Sequence, residues 1–221
     1  MQETNSQANE AAEICESKSN IVYLFTKRTF DIISSLCAIV IFSPLLLVIV
    51  VSVKLDSKGL AIFKHKRIGM YGEDLGIYKF RTMVTNAEEL LKKLTPEQKK
   101  EYLLNFKLEN DPRITKLGNF LRKTSLDELP QLFNIFIGNM SVVGPRPVVK
   151  KEIEKYGIYA KKFLSVKPGL TGNWQANGRS DTTYDERVQL DMEYVDNLSF
   201  KNDIKIILKT VISVFKGKGA R

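Results

Sequence analysis

The sequence predicts a mainly α-helical protein with a small β-hairpin, joined to a membrane by one long apolar helix. Three observations predict it: about 22 uncharged residues run from Ile32 to Val53, amphipathic stretches with their own start signals follow, and alternating segments flank Gly69 and Gly72. The 221 residues, 43 % of them hydrophobic, suffice for one domain with a core. A mean hydropathy of −0.16 and a net charge of +9 describe a soluble basic chain only on average. Residues up to Phe25 carry about −3 and the remainder about +12. The two cysteines, Cys15 and Cys37, exclude a disulfide framework and a Cys-rich zinc site, and His65, the single histidine, excludes catalysis by paired imidazoles.

Taken in order, residues 1–20 are acidic and unpatterned and read as a mobile tail. The apolar run is long enough to cross the hydrocarbon core as a straight helix, and it starts too late to be a cleaved signal peptide. Ser43-Pro44 lies at its midpoint, where proline removes a helix hydrogen bond. Lys27 and Arg28 precede the run, and Lys54, Lys58, Lys64, Lys66 and Arg67 follow it, so the positive-inside rule draws both flanks to the cytoplasm. A re-entrant helix-break-helix over 21–58 satisfies both flanks; a kinked spanning helix, its freed carbonyl taken by Ser43, is the alternative. Beyond it, Ala61-Ile62-Phe63 and Ile77 to Arg81 read as the hairpin strands. Ala87 to Leu94 reads as a helix, and Thr95-Pro96-Glu97-Gln98 opens another. Asp111-Pro112 repeats that start ahead of the stripe Ile114, Leu117, Phe120 and Leu121. Leu129 to Ile137 is an apolar helix ending at Gly138, and Thr183 with Glu186 caps a helix from Tyr184 to Leu198. The last helix, Asn202 to Lys216, sets Ile204, Ile207, Leu208, Val211, Ile212 and Phe215 against Lys205, Lys209 and Lys216, which suits an interfacial helix on anionic lipid or a core helix with a basic outer face.

The residues that can carry chemistry centre on Asp127-Glu128. Pro130 sits most easily in a helix's first turn, which sets the pair at the start of the apolar helix. Asp127 is then either a plain N-cap or a nucleophilic carboxylate beside a diphosphate held at a helix start. A carboxylate pair also suits Mg²⁺. Lys79 and Arg81, two apart on a strand, share a face; Arg113 opens a helix; Arg122 ends one; Arg146 is fixed between Pro145 and Pro147. Each is a candidate phosphate ligand or a solvated surface charge. Lys167 to Gly172 and Asn177 to Ser180 read as turns first and as anion-holding loops second.

Several motifs in order resemble the monotopic phosphoglycosyl transferases, also called bacterial sugar transferases. They are Lys27-Arg28-Thr29-Phe30-Asp31, Ser43-Pro44, Lys79-Phe80-Arg81-Thr82-Met83, Asp111-Pro112-Arg113-Ile114-Thr115, Leu121-Arg122 with Ser125 to Gln131, Val143-Gly144-Pro145-Arg146-Pro147, and Pro168-Gly169-Leu170-Thr171-Gly172. The resemblance covers Lys27 to Val214 and implies a monotopic protein bent back at Ser43-Pro44, with 59–221 as a cytoplasmic catalytic domain carrying interfacial helices. It implies transfer of a sugar 1-phosphate from a UDP-sugar, a nucleotide diphosphate sugar, to polyprenol (undecaprenyl) phosphate, with release of UMP. Asp127 would form a covalent phosphosugar intermediate, and Glu128 would assist proton transfer or organise Mg²⁺ with it. Lys79, Arg81, Arg113, Arg122 and Arg146 would hold phosphates, while Gln131, Thr171 and Arg179 would contact nucleotide or sugar. The stretch Trp174 to Ser180 and the helices after it are similar to the hexose 1-phosphate branch, with Asn139, Asn173 and Asn177 as departures. Many relatives carry further N-terminal transmembrane helices, so the chain resembles a minimal form.

The expected setting is the cytoplasmic face of a bacterial inner membrane rich in anionic lipid, at the start of a surface polysaccharide pathway, with a homodimer allowed. The competing functions are a membrane-tethered nucleic-acid binder, for which no recognition motif is present, and a non-enzymatic scaffold of a polysaccharide assembly complex.

Overall fold

A single 36-residue helix, α1 (Ile21–Asp56), leads the chain in the computed structural model, which describes residues 21–105, 108, 111–178 and 182–215. The acidic stretch 1–20, Arg179 and Lys216 lie outside the described residues. The helix runs through Ser43-Pro44 without an intervening loop. Pro44 has no N–H to give the Val40 carbonyl, and the Ser43 hydroxyl donates to that carbonyl at 2.8 Å instead. Both ends of α1 are fastened to the rest of the protein. At the first, Lys27 donates to Asp203 at 2.8 Å, Arg28 donates to the carbonyls of Ile135 and Phe136, each at 2.8 Å, and Asp31 accepts from the Ser141 hydroxyl and the Val142 N–H. At the second, Arg81 donates to the carbonyls of Val53, Ser57 and Leu60 and to the Ser57 hydroxyl. Between them Val40, Ile41, Phe42, Leu45, Leu47 and Val48 are exposed.

The hairpin is longer than the alternation suggests. Strands β1 (Ile62–Ile68) and β2 (Asp74–Phe80) pair antiparallel, Ile62 opposite Phe80 and Ile68 opposite Asp74. They are joined through Tyr71 and Gly72, both in left-handed backbone. Leu75 and Ile77 pack on Leu132, Ile135 and Met140, while Phe80, of opposite parity, joins Ile49, Val53, Ala61 and Leu121. Helices α2 (Ala87–Lys92) and α3 (Pro96–Asn105) follow as expected, with the Thr95 hydroxyl accepting from the Gln98 N–H.

Asp111-Pro112 does not open a helix. The Asp111 carboxylate folds onto the N–H and guanidinium of Arg113, and Ile114 bridges to Met83. The true cap is Thr115, whose hydroxyl accepts from Gly118, so α4 spans Lys116–Lys123. Gly118 is required there because a Cβ would come within 2.0 Å of the Thr82 carbonyl oxygen. The apolar helix α5 (Gln131–Ile137) is also shorter than expected. Pro130 takes its cap position, and a separate 3₁₀ turn, Leu126–Glu128, precedes it.

A second sheet was not legible as one. The Pro168 to Gly172 segment, expected as a turn, contains strand β4 (Gly169–Thr171), parallel to β3 (Ser141–Val143). Glycine hides the strand pattern but permits the contact: Gly144 donates to the Thr171 carbonyl and Gly169 to that of Pro145, at distances that leave no room for a Cβ. Between and after these strands come α6 (Lys150–Ile153), a 3₁₀ stretch Glu154–Tyr159, α7 (Ala160–Leu164) and α8 (Asn173–Asn177). Helix α9 (Tyr184–Asp196) opens on the expected Thr183–Glu186 capping box, and α10 (Phe200–Phe215) closes the described chain. Tyr156, Phe163, Val188, Met192, Val195 and Ile206 form the core here. Helix α10 divides its apolar face, burying Ile206 and leaving Leu208, Val211 and Ile212 exposed.

Candidate active site

The 3₁₀ turn carrying Asp127-Glu128 is entered through Ser125, which holds φ 58, a left-handed backbone unusual for a residue with a side chain. This turn sends Asp127 inward, to 8 % exposure, and leaves Glu128 partly open. Asp127 does not cap α5. Lys79, from the end of β2, reaches both carboxylates, with Nζ 3.6 Å from Asp127 Oδ2 and 2.6 Å from Glu128 Oε1. Burial pushes the Asp127 carboxyl above the usual carboxylate range; Lys79 and Arg122 pull it back, and Glu128 adds to the rise. Arg122 is itself placed by α4, its Nε donating to the Thr82 hydroxyl at 2.9 Å.

Beside this pair opens a shallow cleft lined by Arg67, Lys79, Glu128, Gln131, Arg146 and Gln175, with Gly169 and Leu170 of β4. Its charge is read out by His65. Burial, followed by Arg67, Lys79, Arg146 and Arg122, pushes that imidazole down to about 4, so it is neutral at physiological pH. Such a concentration of positive potential beside a buried carboxylate is a place for a polyanion to bind and for its phosphorus to meet an oxygen nucleophile.

Of the residues expected here, Asp127, Glu128, Lys79, Gln131 and Arg146 come together, and Arg122 acts on Asp127 from behind. Arg81 is directed to the end of α1. Arg113 forms a two-point ion pair with Asp111, at 2.8 and 2.6 Å, that occupies its fork. Thr171 is buried and its hydroxyl lies 2.7 Å from that of Thr210, which ties β4 to α10. Arg179 is outside the described residues. Asn173 and Asn177 connect α8 to α9 and α10 through Glu193 and Lys209. Arg67, His65 and Gln175 were not anticipated. The signal for the first two was strand phase: His65 and Arg67 share the face of β1 that opposes Ile77 and Leu75 on β2. Arg146 and Arg187 also flank this region, each with its guanidinium over the Trp174 ring, at 5.8 and 4.6 Å.

Among the described residues no group of three or more His, Cys, Asp or Glu is assembled as a metal cage. Asp127 and Glu128 are the two adjacent carboxylates that a cation could meet here, and the Lys79 ammonium lies against both.

The model of a family described as bacterial sugar transferase matches residues 22–217. The chain is 49 % identical over 199 residues, 89 % of its length, to the undecaprenyl-phosphate galactose phosphotransferase of Salmonella typhimurium. It is 40 % identical over 203 residues, 88 % of the chain, to the UDP-glucose:undecaprenyl-phosphate glucose-1-phosphate transferase of Escherichia coli. It spans 42 % and 41 % of those two longer proteins. The exopolysaccharide production protein ExoY of Rhizobium meliloti is 45 % identical over 88 % of the chain and 87 % of its own length.

Proposed function

The chain belongs to the bacterial sugar transferase family, and from that membership we propose that it moves a hexose 1-phosphate, of galactose or glucose, from a UDP-sugar to undecaprenyl phosphate and releases UMP. The reading rests on one observation above all: a buried carboxylate, Asp127, touching Lys79 at the rim of a cation-walled cleft. An Asp127 oxygen bonds to the sugar-bearing phosphorus as that phosphorus loses its bond to the bridging oxygen, which leaves with UMP. An oxygen of the lipid phosphate then bonds to the same phosphorus, and the bond to Asp127 breaks. Burial strips water from the attacking oxygen, while Lys79 and Arg122 favour its ionised form. Arg67 and Arg146 hold the diphosphate oxygens across the cleft. Glu128 keeps Lys79 in place and supports proton movement at the leaving and entering phosphates. Asp127 and Glu128 would be the residues to hold Mg²⁺, which would supply charge to offset repulsion between carboxylate and substrate.

In this reading the protein sits on the cytoplasmic face of the inner membrane. Both ends of α1 are tied to one body while its middle is apolar and exposed, which favours a re-entrant helix over one whose ends lie on opposite sides. The exposed edge of α10, with Lys205 beside it, extends the contact to anionic lipid.

The test is a donor panel with purified protein, undecaprenyl phosphate and Mg²⁺, reading released UMP. Asp127→Asn is expected to abolish release while membrane binding persists, and the parent protein is expected to carry a phosphosugar adduct on Asp127 detectable by mass spectrometry. Unchanged release from Asp127→Asn would overturn the covalent mechanism.

A further inference from the structure

A second concavity, of about 240 Å³, lies behind the cleft and is lined by Ile62, Tyr78, Pro130, Phe133 and Ile137. Its lining carries no charged side chain, and Phe133 and Ile137 are 40 % and 63 % exposed. Its wall is shared with the cleft at two places. On β2, Tyr78 faces the groove and Lys79 the cleft; at the start of α5, Pro130 faces the groove and Gln131 the cleft. Neighbouring residues are about 3.8 Å apart along the chain, so the two cavities are separated by one thickness of backbone. The groove also continues onto α1. Ile62 packs on the same buried cluster as Leu46 and Val50 of that helix, and Ile137 is followed by Gly138, against which the Arg28 guanidinium lies.

A ligand that fits both sides of this wall has an apolar chain and an anionic head. We propose that the groove seats the leading five-carbon units of the polyprenyl acceptor, with its phosphate directed to Lys79 and the phosphorus held at Asp127. The inference rests on the transferase reading and adds to it a binding surface and a basis for selecting isoprenoid chains. Charge complementarity favours this occupant over neutral membrane lipid: the groove is uncharged, and the nearest cations stand at its margin, with Lys79 across the wall and Lys64 Nζ 5.2 Å from the Tyr78 ring.

The experiment compares KM for undecaprenyl phosphate and for dimethylallyl phosphate, a single-unit acceptor, in detergent, with UMP release as the readout. Phe133→Ser and Ile137→Ser, both at exposed positions, are expected to raise KM about tenfold for the long acceptor and less than twofold for the short one. Phe136→Ser, on the same helix but outside the groove, is expected to leave the ratio as in the parent. An equal loss with both acceptors, or no loss with either, would overturn the groove assignment. A loss seen only in vesicles, in step with reduced vesicle binding, would make the groove a membrane contact and also overturn it. The parent protein must give a burst of UMP with donor alone; lack of a burst would reject the transferase reading itself, a failure distinct from an unchanged KM ratio.

Discussion

Asp127 is held in a position that costs the fold something and serves the site. A carboxyl whose folded pKa lies above its unfolded value of about 3.9 favours the folded state fully below that value and loses the contribution as pH rises through the folded pKa. Burial raises the Asp127 value in this way, so its ionised form opposes folding at neutral pH. Asp127→Asn is therefore expected to raise Tm by a few degrees while abolishing UMP release, measured by thermal denaturation beside the donor assay; a clear drop in Tm would mean that the contact with Lys79 outweighs burial. Lys79 lowers the same pKa, so Lys79→Met should move the acid limb of the kcat/KM profile to higher pH as well as weakening donor binding. His65 offers a cleaner probe because it is the single histidine. It titrates near 4 among four cations, and a bound nucleotide diphosphate would offset those charges. Its pKa, followed by NMR, should rise on adding UDP; an unchanged titration would place the anion elsewhere. The carboxylate pair and Arg146 could be singled out in sequence because their neighbours, Pro130, Pro145 and Pro147, restrict the backbone, and Lys79 because strand alternation sets its face. Arg81, Arg113 and Thr171 stand apart from the cleft for a physical reason: their partners are carbonyls of α1, the Asp111 carboxylate and the Thr210 hydroxyl, and spacing along the chain does not reveal those partners.

At the level of elements, caps and glycines decided how far the sequence could be read. Thr95, Thr183 and Gly138 mark helix ends in the structure as they do in the sequence, since each acts on backbone within a few residues. Thr115 competed with Asp111-Pro112 for the same role and won because Ile114 is taken by the bridge to Met83. Strands β3 and β4 escaped notice because their pairing depends on close backbone approach at Gly144 and Gly169, which leaves no apolar alternation. The same kind of contact makes a prediction at Gly118. A methyl group there meets the Thr82 carbonyl oxygen at 2.0 Å, so Gly118→Ala should push α4 from β2, lower stability by about 1–3 kcal/mol in chemical denaturation, and displace Arg122 from Thr82. Arg81→Met removes the donors to the end of α1 and is expected to cost about 2 kcal/mol with donor KM little changed. A large rise in donor KM would instead return Arg81 to the phosphate site.

Over the whole molecule, the charge excess and the apolar run belong to one design. Part of the +9 charge binds backbone and carboxylates at the two ends of α1, through Lys27, Arg28 and Arg81, and another part walls the cleft through Arg67, Lys79 and Arg146. The first set places both ends of the helix on the body that carries the active site, which supports the proposal that the exposed segment from Val40 to Val48 enters a bilayer as an excursion from one side. A kinked spanning helix would have to release either the Arg28–Ile135 and Asp31–Val142 contacts or those of Arg81, leaving buried polar groups unpaired at roughly 1–3 kcal/mol each. In a variant with Cys15 and Cys37 replaced by serine, single cysteines introduced at Glu3 and at Lys58 should both react with a membrane-impermeant thiol reagent only after spheroplasts are opened. Reaction of one in intact spheroplasts and the other only after opening would show a spanning helix, and the contacts at one end of α1 would then have to be broken in the membrane-bound protein.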